Sequence, residues 1–159
     1  MYIPFYNATE TLFKTHFKPV KTIDYWNNQF DQTEKAKAVK YPAAYVEFEN
    51  PINWTDAGNQ VQQADTVIYI HLGVMDLSDK PTKIMELAQG AFKAIQGKTL
   101  TEGSIHISGK LTRNHTSLNS YEQIKEMVIG FKCTLYDYSN CPDNLTEVSP
   151  SLRITTERK

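Results

Sequence analysis

The chain has 159 residues and a formal charge of −1, with 40% apolar and 22% charged side chains, a composition that fits one packed domain and excludes disordered, low-complexity and fibrous classes. Seventeen basic against eighteen acidic side chains leave none of the general attraction to phosphate that a dedicated DNA-binding domain shows. No apolar run approaches the roughly 20 residues that span a bilayer, the start Met1-Tyr2-Ile3-Pro4 lacks a charged-then-apolar leader pattern, and two cysteines, Cys133 and Cys141, are too few for a disulfide framework.

Residues 4–17 read as a helix, with Pro4 in the first turn and Phe5, Leu12, Phe13 and Phe17 recurring on one side until Pro19 stops it. Lys21 to Phe30 holds the strand-like Ile23, Tyr25 and Trp26, and the basic run Lys35 to Lys40 reads as a solvated loop. From Ala43 to Glu49 the chain alternates, which predicts a half-buried strand with Ala44, Val46 and Phe48 inward and Tyr45, Glu47 and Glu49 outward. Asn53 to Gln60 is rich in turn formers and reads as a loop exposing Trp54. Ala64 to Val74 is the clearest strand. Its two faces, Thr66, Ile68, Ile70 and Leu72 against Val67, Tyr69 and His71, are both too apolar for water, so it is either central or meets another subunit.

A second helix follows: Asp79 as its cap, Pro81 in its first turn, Ile84, Leu87, Ala88, Ala91 and Ile95 at helical spacing, and Gly97 as its left-handed stop. Ser104 to Leu111 alternates with Ile105, Ile107 and Leu111 inward and Ser104, His106, Ser108 and Lys110 outward, and Arg113 to Ser120 reads as polar loop. Alternation of Met127, Ile129, Phe131, Cys133 and Leu135 makes the stretch up to Tyr138 a long strand. These elements predict an α+β fold, a curved, mostly antiparallel sheet of four or five strands flanked by two main helices, in a single domain over residues 1–138. Residues 139–159, with Pro142 and Pro150 and few apolar groups, read as a C-terminal arm or tail.

No catalytic, cofactor or metal site emerges. Gln96-Gly97-Lys98-Thr99 resembles the end of a phosphate-binding loop, but Phe92 stands where that loop needs glycine and the segment follows a helix, so a helix cap is the reading. Glu47 and Glu49 share a strand face at an acid/base distance of ~7 Å, but a solvated or salt-bridging surface is the ordinary reading of such a pair. His16, His71, His106 and His115 show no metal-ligand spacing, and no serine sits in a nucleophile elbow. Cys133, on the apolar side of a strand, reads as a small buried hydrophobe. The residues expected to meet partners are Trp26, Trp54, Gln60, Tyr69 and His71; a loop tryptophan among polar neighbours such as Trp54 either tucks back onto its own domain or anchors a protein–protein contact.

Tyr41-Pro42-Ala43-Ala44-Tyr45-Val46-Glu47-Phe48-Glu49, then Trp54, then Gln60-Val61-Gln62-Gln63-Ala64-Asp65 leading into Thr66-Val67-Ile68-Tyr69-Ile70-His71, resemble the tail-completion, tail-terminator and head–tail connector proteins of tailed bacteriophages. The likeness runs over residues 20–140 and includes Ile129-Gly130-Phe131 and Tyr136-Asp137 of the last strand. It implies a non-enzymatic virion protein, assembled in the bacterial host cytoplasm, whose copies form a ring of about six or twelve. Such a ring caps the tail or extends the portal connector, touches portal, connector or tail proteins, and lets DNA pass without sequence-specific binding. It needs no cofactor and no membrane. The alternative is a monomeric or dimeric protein-binding module without catalytic activity.

Overall fold

The computed structural model describes residues 3–31, 33–75 and 82–141. In chain order its elements are α1 (Ile3–His16), β1 (Thr22–Tyr25), α2 (Thr33–Lys37), β2 (Ala43–Phe48), β3 (Thr55–Gly58), β4 (Val61–Met75), α3 (Thr82–Ile95), β5 (Thr101–Glu102), β6 (Ile105–His106), β7 (Thr112–Ser120) and β8 (Ile124–Asp137). The α+β class and the two main helices are as the sequence predicts. The helical spacing in α3 turns Ile84, Leu87, Ala88, Ala91 and Ile95 inward. Gly97 adopts φ +77° at its end and donates its N–H to the Leu111 carbonyl at 2.8 Å, the role of a helix stop and not of a phosphate loop. The expected Asp79 cap, Pro81 and nearly all of the C-terminal arm lie outside the described residues.

The backbone of the fold is the antiparallel ladder of β4 with β8, continuous from Gln62↔Asp137 to Met75↔Ile124. β2 lies on the other side of β4, β1 beyond β2, and β7 beyond β8, giving a non-closed sheet of order β1-β2-β4-β8-β7 with β3 paired to the start of β4. α1 and α3 cover one face, where Val46 and Phe48, Ile68, Ile70 and Leu72, and Ile129, Phe131 and Leu135 form the core with Phe5, Phe13 and Phe17. Each such side chain removed from water stabilises the fold by about 1.5–3 kcal/mol.

Several expectations need correction. β1 pairs parallel with β2, from Thr22↔Ala43 to Tyr25↔Val46, because the chain between them makes a crossover long enough to return in the same direction. The basic run is not all loop: it overlaps the short helix α2, in which Ala36 is buried to 5% exposure. β2 is not half-buried: Tyr45 on its second face is only 3% exposed, under Phe30 and Trp26. The Asn53 to Gln60 loop contains β3, which turns into β4 through Asn59 and Gln60, both at positive φ (52° and 63°). Ser108 points inward, its hydroxyl accepting the Leu100 N–H at 2.7 Å and donating to the Gly109 carbonyl at 2.8 Å. Arg113 to Ser120 is not loop but β7, joined to β8 with a bulge between Arg113 and His115.

Candidate functional site

The face of the sheet opposite the helices is where chemistry-bearing side chains gather. On β4 the odd-numbered residues Val67, Tyr69, His71 and Gly73 point there, joined by Tyr45 and Glu47 of β2 and Glu126 of β8. Residues 26–31 and 33–41 fold over one end of this face, where Phe30, Ala36, Ala43, Tyr45 and Ile124 make a second small core edged by Trp26, Tyr41 and Tyr121. Gly73 is required beneath it, since a Cβ there would collide with the Phe30 ring.

His71 stands at the border of that cover. Its Nδ1 lies 2.7 Å from Glu126 Oε1 and its Nε2 2.9 Å from Glu47 Oε2. Only the doubly protonated ring donates at both nitrogens; a neutral ring leaves a lone pair facing one carboxylate. The indole of Trp26 stacks on the imidazole, and Glu126 Oε2 accepts the Asn119 amide at 2.7 Å and the Tyr121 hydroxyl at 3.1 Å. Burial pushes the Glu126 carboxyl upward, but hydrogen bonds from His71, Asn119 and Tyr121 outweigh it and hold the group below its ordinary value.

The cluster is a largely buried, hydrogen-bonded lock. The His71 and Glu126 side chains are 9% and 1% exposed, and only Glu47, at 42%, meets solvent. The ring lies between the carboxylates, so the three do not converge on one point, and no group of three metal-binding side chains occurs among the described residues. Glu49 takes no part: it lies past the end of β2, where its carboxylate accepts the Val67 N–H at 3.1 Å. Cys133 is buried in the main core, its thiol pushed up to about 12 by burial and by Asp65, so it is inert.

Of the residues expected to meet partners, the structure brings Trp26 and His71 into contact and puts Tyr69 on the same face, half-buried and edge-on to His115. Gln60 sits apart at the exposed β3–β4 turn. Trp54 is not an exposed anchor: it is half-buried on the helix side, stacked on Phe5 with ring centroids 6.0 Å apart. The apolar second face of β4 is likewise covered from within at its His71 end, while Val67 and Tyr69 stay half-buried. Sequence reasoning missed Glu126; the available signal was a carboxylate in step with Ile124 and Val128 in an otherwise apolar strand.

No family model matches the chain, and no curated protein does. Among solved structures it is similar to a chain in the virion of a native gene transfer agent particle, with 12% identity and a TM-score of 0.50 over 83% of this chain and 91% of that one. At that identity the likeness is one of fold. It defines the protein as an α+β domain whose architecture also occurs in a virion chain of nearly matching extent.

Proposed function

We propose that the protein is a structural virion component of the phage head–tail junction, where copies join into a ring that caps the tail or extends the portal connector around the DNA channel. The observation that carries this reading is the fold likeness to a virion chain over most of both chains, 83% of this one and 91% of the other. The phage-type pattern of Tyr41 to Glu49 and Gln60 to His71 also supports it; those segments contain β2 and much of β4, neighbouring strands of the main sheet. A net charge of −1 suits a channel wall that passes DNA without holding it. The ring uses about six or twelve copies, its neighbours are portal, connector or tail proteins, and it is built in the host cytoplasm. Catalysis has no place in this reading, since the best-formed acid–base cluster is closed by Trp26.

With Trp54 and His71 engaged within their own chain, the ring does not depend on them as anchors. Gold-labelled antibody on purified particles tests the location: label concentrated at the head–tail junction supports the reading, and particles without label refute it. Native mass spectrometry of the purified protein tests the copy number. A monomer or dimer that binds one partner and never enters particles is the outcome for a simple binding module.

A further inference from the structure

The cover of residues 26–31 and 33–41 rests on the sheet through two different contacts. One is apolar: the Phe30 ring lies above Gly73, with Ala36, Tyr45 and Ile124 around it. The other is at His71, where the Trp26 indole stacks on the imidazole. That imidazole is held at both edges, Nδ1 at 2.7 Å from Glu126 Oε1 and Nε2 at 2.9 Å from Glu47 Oε2. Two nitrogens facing two ionised carboxylates need a hydrogen on each, and imidazole carries two only in its protonated form. The proton count of a single ring therefore decides whether both contacts exist.

The two carboxylates answer the loss of a proton differently. Glu126 is fixed, its side chain 1% exposed and its Oε2 taken by the Asn119 amide and the Tyr121 hydroxyl. Withdrawing the His71 donor from it leaves a buried charge short of a partner, so a single remaining proton belongs on Nδ1. Glu47 is 42% exposed, and a lone pair facing it at Nε2 turns it toward water at little cost. The ring is then held on one edge only, and the flat Trp26 contact loses its fixed platform. On the same sheet face β1 presents Asp24, β2 Tyr45, β4 Tyr69, β7 His115 and β8 Lys132, while the cover carries Asp31, Lys35, Lys37 and Tyr41. Among the described residues no lysine or arginine pairs with Glu47 or Glu126, so no fixed cation stands in for the ring. His115, exposed and edge-on to Tyr69, is the other histidine on this face.

We propose that His71 is a proton-operated latch for the cover: with a proton on each ring nitrogen the imidazole is clamped between Glu126 and Glu47 and seats Trp26, and loss of the Nε2 proton frees Glu47 to solvent and loosens residues 26–31 and 33–41 from β2 and β4. The Phe30 side stays seated, so the cover opens more often without unfolding. The latch is closed at lower pH and loosens as the pH rises, the direction in which a histidine gives up its second proton. It is a property of the single chain and does not rest on the proposed junction role, so junction labelling and the test below fail independently.

The test is a pH series from about 5 to 9 on the full isotope-labelled chain, read by NMR. Ring nitrogen shifts count the protons on His71. Amide exchange at Trp26 and Val39, whose N–H groups donate to the Val46 and Ala36 carbonyls at 2.9 and 3.3 Å, reads the cover once divided by the free-peptide rate at each pH. In the wild type, protection at both amides is expected to fall roughly threefold or more as the ring goes from two protons to one. Glu47→Gln sits at the solvent side and supplies an amide that accepts from the protonated ring and donates to the neutral one, so protection there is expected not to follow the ring. His71→Gln, checked by circular dichroism for retained fold, is expected to lose the step, and His115→Gln to keep it. A ring that holds one proton, or two, throughout the series overturns the latch. So does protection that changes less than about twofold while the ring titrates, a wild-type step in Glu47→Gln, or a step that disappears with His115.

Discussion

The indole of Trp26 lies flat on the imidazole of His71, with ring centroids 4.0 Å apart and planes 6° from parallel. The stack joins the segment after β1 to the centre of the sheet, and two carboxylates hold the imidazole from either side within it. The cover formed by residues 26–31 and 33–41 is thereby pinned at a polar point as well as by its small apolar core.

His71→Ala is expected to cost roughly 3–5 kcal/mol, since it strands the Glu126 carboxylate in the interior with fewer donors. Glu47→Gln is expected to cost under about 1 kcal/mol, because Glu47 reaches water and a solvated pair contributes little. Urea denaturation of both variants checks the asymmetry; equal losses contradict the assignment of Glu126 as the buried partner.

Acid stability follows from the same carboxylate. Glu126 titrates below its ordinary value of 4.5 in the fold, so its contribution is fully present above pH 4.5 and is lost as the pH falls through the lower folded value. Denaturation midpoints measured from neutral pH downward are expected to fall in that window. In Glu126→Gln the midpoint is lower at neutral pH and the acid slope is shallower. An unchanged slope in that variant assigns the acid sensitivity to other groups.

Alkaline behaviour carries the opposite sign. Burial, reinforced by Asp24, raises Tyr45 to about 12, burial and Tyr45 raise Tyr41 to about 12, and burial with Glu126 raises Tyr121 to about 12, against an ordinary 10.0. A raised value stabilises the fold fully below pH 10.0, and that stability is lost as the pH climbs through about 12. Tyrosine absorbance is expected to titrate in two classes, the later one together with unfolding by circular dichroism. A single class near 10.0 rules out burial of these hydroxyls.

How much of this was legible in the sequence depends on how many faces of an element are buried. β4 and β8 and both main helices announce themselves by period, because one side of each is forced into the core. β7 does not: Thr112 to Ser120 is exposed on both sides, so solvent places no alternating demand on it and its residues match those of a loop. β2 misleads differently, since Tyr45 and Glu47 look like a wet face until residues far along the chain cover them. The His71 cluster joins β2, β4, β7 and β8 to the segment after β1. Local spacing identified the aromatic and the histidine separately, yet their contact depends on strand order, which short-range pattern does not encode.

Thr66 offers a test of polar burial. Its residue is 2% exposed and its Oγ1 has no hydrogen-bond partner, on the helix-covered face of β4. Replacement by the isosteric Val removes an uncompensated buried hydroxyl and keeps the packing volume. Thr66→Val is expected to raise stability by up to about 1 kcal/mol, measured by thermal and urea unfolding. A loss of stability shows that the hydroxyl finds a partner, such as an internal water.

Gly73 tests whether Phe30 truly lies against the sheet. A Cβ built at Gly73 falls against three atoms of the Phe30 ring, Cε2 among them at 2.9 Å, whereas the extended backbone of β4 accepts any side chain there. Gly73→Ala is therefore expected to cost about 1–3 kcal/mol through overpacking alone. Phe30→Ala is destabilising for the opposite reason, a cavity in the small core of Ala36, Tyr45 and Ile124. Combining them separates the causes: with the ring gone the new methyl has space, and the double variant should be more stable than the sum of the two losses by at least about 1 kcal/mol. Strict additivity means that the ring does not sit over Gly73, and the cover over His71 then loses its apolar half.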